Sequence, residues 1–449
     1  MNKKMLAFGM VLALFAGIAY ADELVFGELS GDKVNDKIEE TTPELDSPVS
    51  SCMTIAVPGD YTLTGPVASP GATCFTVAAS NVKLDCAGNS ITGTTTANTF
   101  GVVALNQTNV TVQNCVINGY KAVIKFIGVS GSAIKNLVAT NAYPPGTEEG
   151  AVYLHGSSGN TLDNLNVTAN LTAAIFIGYG SHNNVLTNSV GVSKGTGYGI
   201  QVHLSNGNIV TDSKGTSQSS DGVYLVQANS NYLNNVNGAS LTGRRGIYLY
   251  KSSSNGVSNA VGTSGTNHGV MLSDDSNYNN ITNVTGTTGG NGNGVHLRIR
   301  SNYNRLVNVV GTSVSGYGIM IWDNAMGTPF GSNYNLVKNS MGTSSSGSGI
   351  RVERSNYNVI DQSGGTSTSG NGIKLAYANS NTIQNSIGTS LGSGINGNGI
   401  NVFSSNDTNV SNNAVFAPNG YGTYYTESFR GNVLSAPTLI SCSVGTAAG

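Results

Sequence analysis

Apolar and variable positions alternate along this chain in short runs that return about every 24 residues between roughly Gly101 and Tyr421. One run opens with glycine, as in Gly199-Ile200-Gln201-Val202, Gly246-Ile247-Tyr248-Leu249, Gly294-Val295-His296-Leu297 and Gly372-Ile373-Lys374-Leu375. Alternation with period two predicts a short strand with one buried face. About ten residues later comes an Asn-x-Leu-x-Asn step, as in Asn184-Val185-Leu186-Thr187-Asn188 and Asn304-Arg305-Leu306-Val307-Asn308. Its central aliphatic residue is the core position of a second strand. Its asparagines recur at one place per unit, where stacked amides can bond along the column and to turn backbone. A fixed period of this size predicts a solenoid whose units bury their apolar faces only against their neighbours.

A leucine-rich repeat has a similar period and also uses an asparagine step. Here, however, the stretches between signatures are Gly, Ser, Thr and Asn, as in Gly311-Thr312-Ser313-Val314-Ser315-Gly316. Such stretches cannot sustain a helix, so three short strands joined by turns are expected in each unit. The glycine opening each strand is expected at a corner with positive φ. With Val82-Lys83-Leu84-Asp85-Cys86-Ala87-Gly88-Asn89-Ser90-Ile91-Thr92-Gly93 read as a first coil, the pattern over about residues 50–440 resembles the right-handed parallel β-helix family, including the NosD-like and carbohydrate-binding or sugar-hydrolase repeat proteins. The resemblance implies an all-β, right-handed parallel β-helix solenoid of about 13–14 coils. That repeat family hosts lyases, hydrolases, epimerases, adhesins and inert spikes, so the fold by itself does not assign a function.

Lys3, Lys4, the apolar run Met5 to Ile18 and Ala19-Tyr20-Ala21 read as a signal peptide, residues 1–21, cut before Asp22. Residues 22–48 read as an acidic linker or N-terminal extension, with nine acidic residues between Asp22 and Asp46 against Lys33 and Lys37. Residues 49–449 are then the β-helix domain, with 49–100 as N-terminal cap and first coil and 422–449 as C-terminal cap. From Val49 onward the body carries 17 basic and 14 acidic residues, a balance that argues against nucleic acid as a partner. No later apolar run is long enough to span a membrane, so a secreted, periplasmic or surface location is expected. In such a compartment Cys52 and Cys74 are the expected disulfide, while Cys86 and Cys115 are expected as buried thiols.

Chemistry is sought where the repeat departs from its own pattern. Stacking the Gly-Ile-x-Val strands generates an outward column that includes Tyr224, Tyr248, Met271, His296, Met320 and Arg351, and another that includes Tyr250, Ser273, Arg298, Trp322 and Glu353. With Asp274, Asp275, Arg300 and Asp323 beside them, these columns concentrate charge and aromatic rings in a chain only 10% charged. Rings beside guanidiniums and carboxylates suit a sugar chain. The expected ligand-binding residues are therefore Tyr224, Tyr248, Tyr250, His296, Arg298, Arg300, Trp322, Arg351 and Glu353, with polysaccharide or surface glycan as partner. The competing account is that Asp275 with Arg300, and Glu353 with a neighbouring arginine, are surface ion pairs of little energetic weight.

A catalytic version assigns Asp274, Asp275, Asp323 and Arg298 to a glycoside hydrolase or a polysaccharide lyase. Asp274-Asp275, His296 and Arg298-Ile299-Arg300 loosely resemble elements of polygalacturonase-type hydrolases, although the Asn-Thr-Asp element of that family has no counterpart. No cofactor is expected, except calcium if the protein is a lyase. Met271, His296 and Met320 in one column also make a candidate Cu(I) set of two thioethers and an imidazole. A passive structural or adhesive rod is the alternative from another class. Insertions after Trp322, from Asn324 to Gly331, and at Tyr143 to Glu149 are expected to emerge as loops.

Overall fold

The structure is a computed structural model that describes residues 46–448 except 95–97, 142–149, 324–330, 428–429 and 436–437, and leaves out the side chains of 395, 438–441 and 443–448. The expected signal peptide, most of the acidic segment, residues 143–149 of the first insertion and 324–330 of the second lie outside the described residues. What is described is all-β: 43 short strands and one three-residue 3-10 turn, Gly394–Asn396, wound into about 15 turns. Every strand pairs in parallel with its counterpart one coil on, as in Val270–Ser273 with Val295–Arg298 and Ile319–Trp322.

Three ladders run along the solenoid. The Gly-Ile-x-Val strands form the first and the Asn-x-Leu-x-Asn strands, such as Asn280–Thr282, the second. Strands of the form x-Gly-Thr-Ser, such as Val261–Ser264 and Val310–Ser313, form the third. In several coils the second and third merge into one bent strand, as in Ile209–Ser217. Winding begins at Ser47–Val49, which pairs with Gly59–Leu63, so most of 49–100 already runs in the same ladders. The core is one stack of aliphatic side chains, including Ile247, Val270, Val295 and Ile319, each at 0% exposure. Fully burying one such side chain stabilises by about 1.5–3 kcal/mol.

The asparagines act as their recurrence suggests. Asn160, Asn184, Asn208, Asn231, Asn255, Asn279, Asn304, Asn335 and Asn358 are all buried, and the side-chain amide of each of the first eight donates to the side-chain carbonyl of the next at 3.0–3.2 Å. The same carbonyl accepts a backbone N–H from the preceding coil, as Asn279 Oδ1 does from the Asn255 amide at 2.9 Å. Buried polar groups are thereby satisfied coil after coil.

Two expectations are corrected by the backbone. Glycines opening the strands do not have positive φ; they are required by space. A Cβ on Gly269 would stand 2.6 Å from the carbonyl carbon of Gly286 and 2.7 Å from the carbonyl oxygen of Gly294. The left-handed corners are instead filled by non-glycine residues, asparagine above all. At one corner the occupants are Tyr278, Tyr303, Tyr334 and Tyr357, with φ of 57–58°, and their rings stack at 4.9–5.0 Å along the axis. Stacking offsets a backbone conformation that bulky residues rarely adopt.

Cys52 and Cys74 are bridged, their Cα atoms 4.5 Å apart. Cys86 and Cys115, expected as thiols, also form a disulfide, with Cα atoms 4.9 Å apart. Because Val82–Asp85 pairs with Val110–Gln113, the two residues stand on adjacent coils. Cys442 is the free cysteine among the described residues.

Candidate functional site

The first ladder presents its variable positions to the outside, but the inner of its two outward columns is not solvent-facing as expected. Tyr248, Met271, His296 and Met320 are only 6, 4, 2 and 2% exposed. The residue just before each opening glycine reads Tyr198, Asp221, Arg245, His268, Asn293 and Tyr317, and several of these side chains pack onto the strand face: Tyr198 against Tyr224, Arg245 on Tyr248, His268 against His296 and Tyr317 against Arg351. That pre-glycine column was legible as a recurring position, although its lack of a constant residue type hid it.

Arg245 lies over the Tyr248 ring, 3.6 Å from its centre, and forms a 3.3 Å ion pair with the fully buried Asp221, whose other link is the Arg245 backbone N–H at 2.8 Å. Burial raises the Asp221 pKa despite the neighbouring guanidinium. Tyr248 Oη and Ser273 Oγ are 2.7 Å apart, and Ser273 donates to Asp274 Oδ2 at 2.6 Å. Because the Ser273 proton is committed to Asp274, Tyr248 must be the donor in the first bond. Two hydroxyls in sequence therefore orient toward one carboxylate.

His268 Nδ1 accepts the Asn293 backbone N–H at 2.9 Å, so the proton of its neutral ring sits on Nε2. That nitrogen is 3.2 Å from His296 Nδ1, which must accept. The His296 proton is thus on Nε2, a buried atom with no hydrogen-bond partner among the described residues. Both rings are held neutral: burial, with Arg245 and Arg298 nearby, lowers the His268 pKa from 6.5 to about 3. For His296, burial, then His268, then Arg298 lower it well below 6.5. This relay bears on the Cu(I) set. Met271, His296 and Met320 are in register on adjacent strands, yet a protonated Nε2 is a donor, and ligating a metal there would break the bond order fixed by Asn293. Among the described residues, no three His, Cys, Asp or Glu side chains gather to hold a metal ion.

A cavity of about 310 Å³ opens over this layer, lined by Arg245, Tyr248, Asn267, His268, Met271, Ser273, Asp274, Arg298 and Ile299. Arg298 lies beside the Trp322 ring, 5.7 Å from its centre, and has no carboxylate partner among the described residues. His296 and Trp322 rings are 6.0 Å apart and nearly parallel.

The other expected residues are placed around this cavity rather than in it. Tyr224 is stacked between Tyr198 and Tyr248 at 4.8 and 5.1 Å. Tyr250 packs against Tyr248 at 5.8 Å. Arg351 is paired with Glu353 of its own strand at 2.9 Å and lies over Tyr317. Asp275 is held by Arg300 in two bonds of 2.7 and 2.6 Å, and that contact lowers its pKa. These pairs are the ion pairs of the competing account, and they remove Asp275 as a poised acid. Asp323 is buried at 3% exposure and follows Trp322, which puts it two coils from Asp274, roughly 9–10 Å by strand spacing.

A family model described as a right handed beta helix region matches residues 80–238, and one described as periplasmic copper-binding protein (NosD) matches residues 192–343. Among solved structures, the chain is similar to the catalytic domain of a GH87 α-1,3-glucanase in complex with nigerose. Identity is 12%, over 90% of this chain and 70% of that one, with a TM-score of 0.41. It is also similar to the A-module of the Azotobacter vinelandii mannuronan C-5 epimerase AlgE6 (13% identity, 87% and 91% coverage, TM-score 0.34). A third is PfbA, a surface adhesin of Streptococcus pneumoniae (12%, 87% and 84%, TM-score 0.25). Likeness at this level assigns no activity. No curated protein matches the chain.

Proposed function

For a chain that belongs to the right-handed parallel β-helix repeat family, we propose an exported protein that binds a polysaccharide on the outer face of its first ladder, centred on the cavity between Arg245 and Arg298. The observation that carries this reading is the cavity's composition. It combines a guanidinium without a carboxylate partner, a carboxylate fed by two oriented hydroxyls, and partly covered aromatic rings, all on one rigid sheet face. Pockets with a few fixed polar groups on an aromatic floor are what oriented sugar binding needs. Export is supported by the leader-like residues 1–21 and the two disulfides. Among the described residues, no helix is long and apolar enough to cross a membrane.

Catalysis is not part of this proposal; of the candidate carboxylates, Asp275 is engaged by Arg300. Retention on a glycan array tests the binding reading. The wild-type chain should be retained, and Arg298→Ala and Trp322→Ala should each weaken retention at least tenfold. If no glycan is retained, the reading fails and the passive rod is favoured.

A further inference from the structure

A second cavity, of about 250 Å³, opens toward the C-terminal end of the first ladder, lined by Lys374, Asn396, Asn401, Phe403, Tyr424 and Thr426. Register shows that the same two outward columns build both cavities. Lys374, Asn401 and Tyr424 continue the column of Met271, His296 and Met320, while Phe403 and Thr426 continue that of Arg298 and Trp322. Three coil steps separate the Arg298 strand from the Lys374 strand, roughly 14 Å by strand spacing, with Trp322 and the Arg351–Glu353 pair on the strands between.

Two features mark this cavity as a built site. The repeat is broken there: bonded neighbours one coil apart are 23 residues apart at Asn358 and Asn381, but 27 apart at Ala378 and Ser405. The extra residues include the 3-10 turn Gly394–Asn396, which puts Asn396 on the cavity wall. Insertions in a solenoid emerge as loops on one face and often line its binding site. The other feature is Lys374, which forms no ion pair among the described residues, although burial, then Arg351, lower its pKa. Holding an ammonium in a partly dry cavity without a carboxylate costs stability, and a ligand oxygen would offset that cost.

The lining offers an ammonium and amides as donors, amide and hydroxyl oxygens as acceptors, and the Phe403 ring beside them. Sugar hydroxyls both donate and accept, so this mixture fits a sugar unit. A cavity of about 250 Å³ lies below the size that takes a drug-sized ligand, and it suits one unit rather than a chain.

Resting on the glycan-binding reading above, we infer that the Lys374 cavity is a second sugar site, and that one polysaccharide chain lies along the first ladder, parallel to the axis, with a unit in each cavity. Met271 and Asn401, one from each lining, are five coil steps apart, roughly 24 Å. An extended sugar unit is about as long as one coil step, so the bound segment is about six units long. Once one cavity is filled, filling the other is intramolecular, which raises the affinity of any chain long enough to span them.

Calorimetry with dimers to decamers cut from pectate, alginate and cellulose, and from any other glycan the array retains, tests this. Short oligomers should bind two per chain, one in each cavity, and hexamers or longer should bind one per chain. Affinity should rise at least about tenfold between trimers and oligomers that span. Trp322, the only tryptophan in the chain, lies on a strand between the cavities and gives an independent emission readout. A Lys374→Met, Asn396→Ala double variant keeps the aliphatic stem at 374 and should bind one oligomer per chain at every length, without the rise; circular dichroism checks its fold. If either affinity or stoichiometry fails to change with length, or the rise survives in the double variant, the inference is overturned while binding at the Arg298 cavity stands. If no glycan of any length binds, both readings fall.

Discussion

Acidification should unfold the coils around His296 first, and the amount can be worked from the histidine pair. Both rings are neutral in the folded chain: burial, with Arg245 and Arg298, lowers the His268 pKa from 6.5 to about 3, and burial, with His268 and Arg298, lowers that of His296 well below 6.5. Unfolded, each takes a proton near its ordinary value. The unfolded state therefore binds more protons below that value, and stability must fall as pH falls. Relative to about pH 7.5, two histidines kept neutral cost about 4 kcal/mol by about pH 5, roughly 2 kcal/mol each. Carboxylates with lowered pKa values, such as Asp85, Asp275 and Asp361, lose their contribution at lower pH, outside this window. Asp221 works in the opposite direction, its raised pKa favouring the folded state on acidification, so the histidine term has to be isolated by difference. Guanidinium unfolding followed by Trp322 emission suits the test, because a solenoid need not unfold in one step and this probe sits two residues from Met320, the register partner of His296. The wild-type midpoint should fall steeply between about pH 7.5 and 5, and a His268→Gln, His296→Gln double variant should lose that slope. Equal slopes in the two proteins would refute the reasoning, because the protons would then be bound elsewhere.

Other outcomes follow from single contacts. Asn279→Ala removes the acceptor for two Asn255 donors and should cost about 3 kcal/mol in equilibrium denaturation. Gly269→Ala drives a methyl into the backbone of Gly286 and Gly294, and should destabilise by about 3 kcal/mol or more, seen as faster limited proteolysis. Thiol titration in denaturant should find one reactive cysteine per chain before reduction and five after it. Arg300→Ala should leave glycan affinity within about twofold, because its charge is spent on Asp275 in an exposed pair.

The fold was legible because period carries it: alternating residues set the strands, and the unit length set the stacking. Function left a weaker trace. The charged and aromatic stretch from Tyr224 to Glu353 does contain the cavity, but a period-two pattern reports only which way a side chain points, not what lies over it. Tyr248 and His296 point outward and are nevertheless buried, because Arg245 and His268 fold across them. Those covering residues come from the turn before each glycine, a column that reads Tyr, Asp, Arg, His, Asn and Tyr and so shows no compositional rule. The Cys86–Cys115 bridge escaped notice for a related reason. Their separation of 29 residues exceeds the later repeat, so the early coil had to be registered before the two could be seen as neighbours.

The asparagine column has a consequence for assembly as well as for stability. Sliding a newly added strand by one residue would swing every amide of that coil out of line and expose its apolar positions. Each finished turn therefore offers the next a template that accepts a single alignment. Growth errors are rejected locally, one turn at a time, and whole turns are the natural unit in which such a rod could lengthen or shorten without disturbing the cavity on its side.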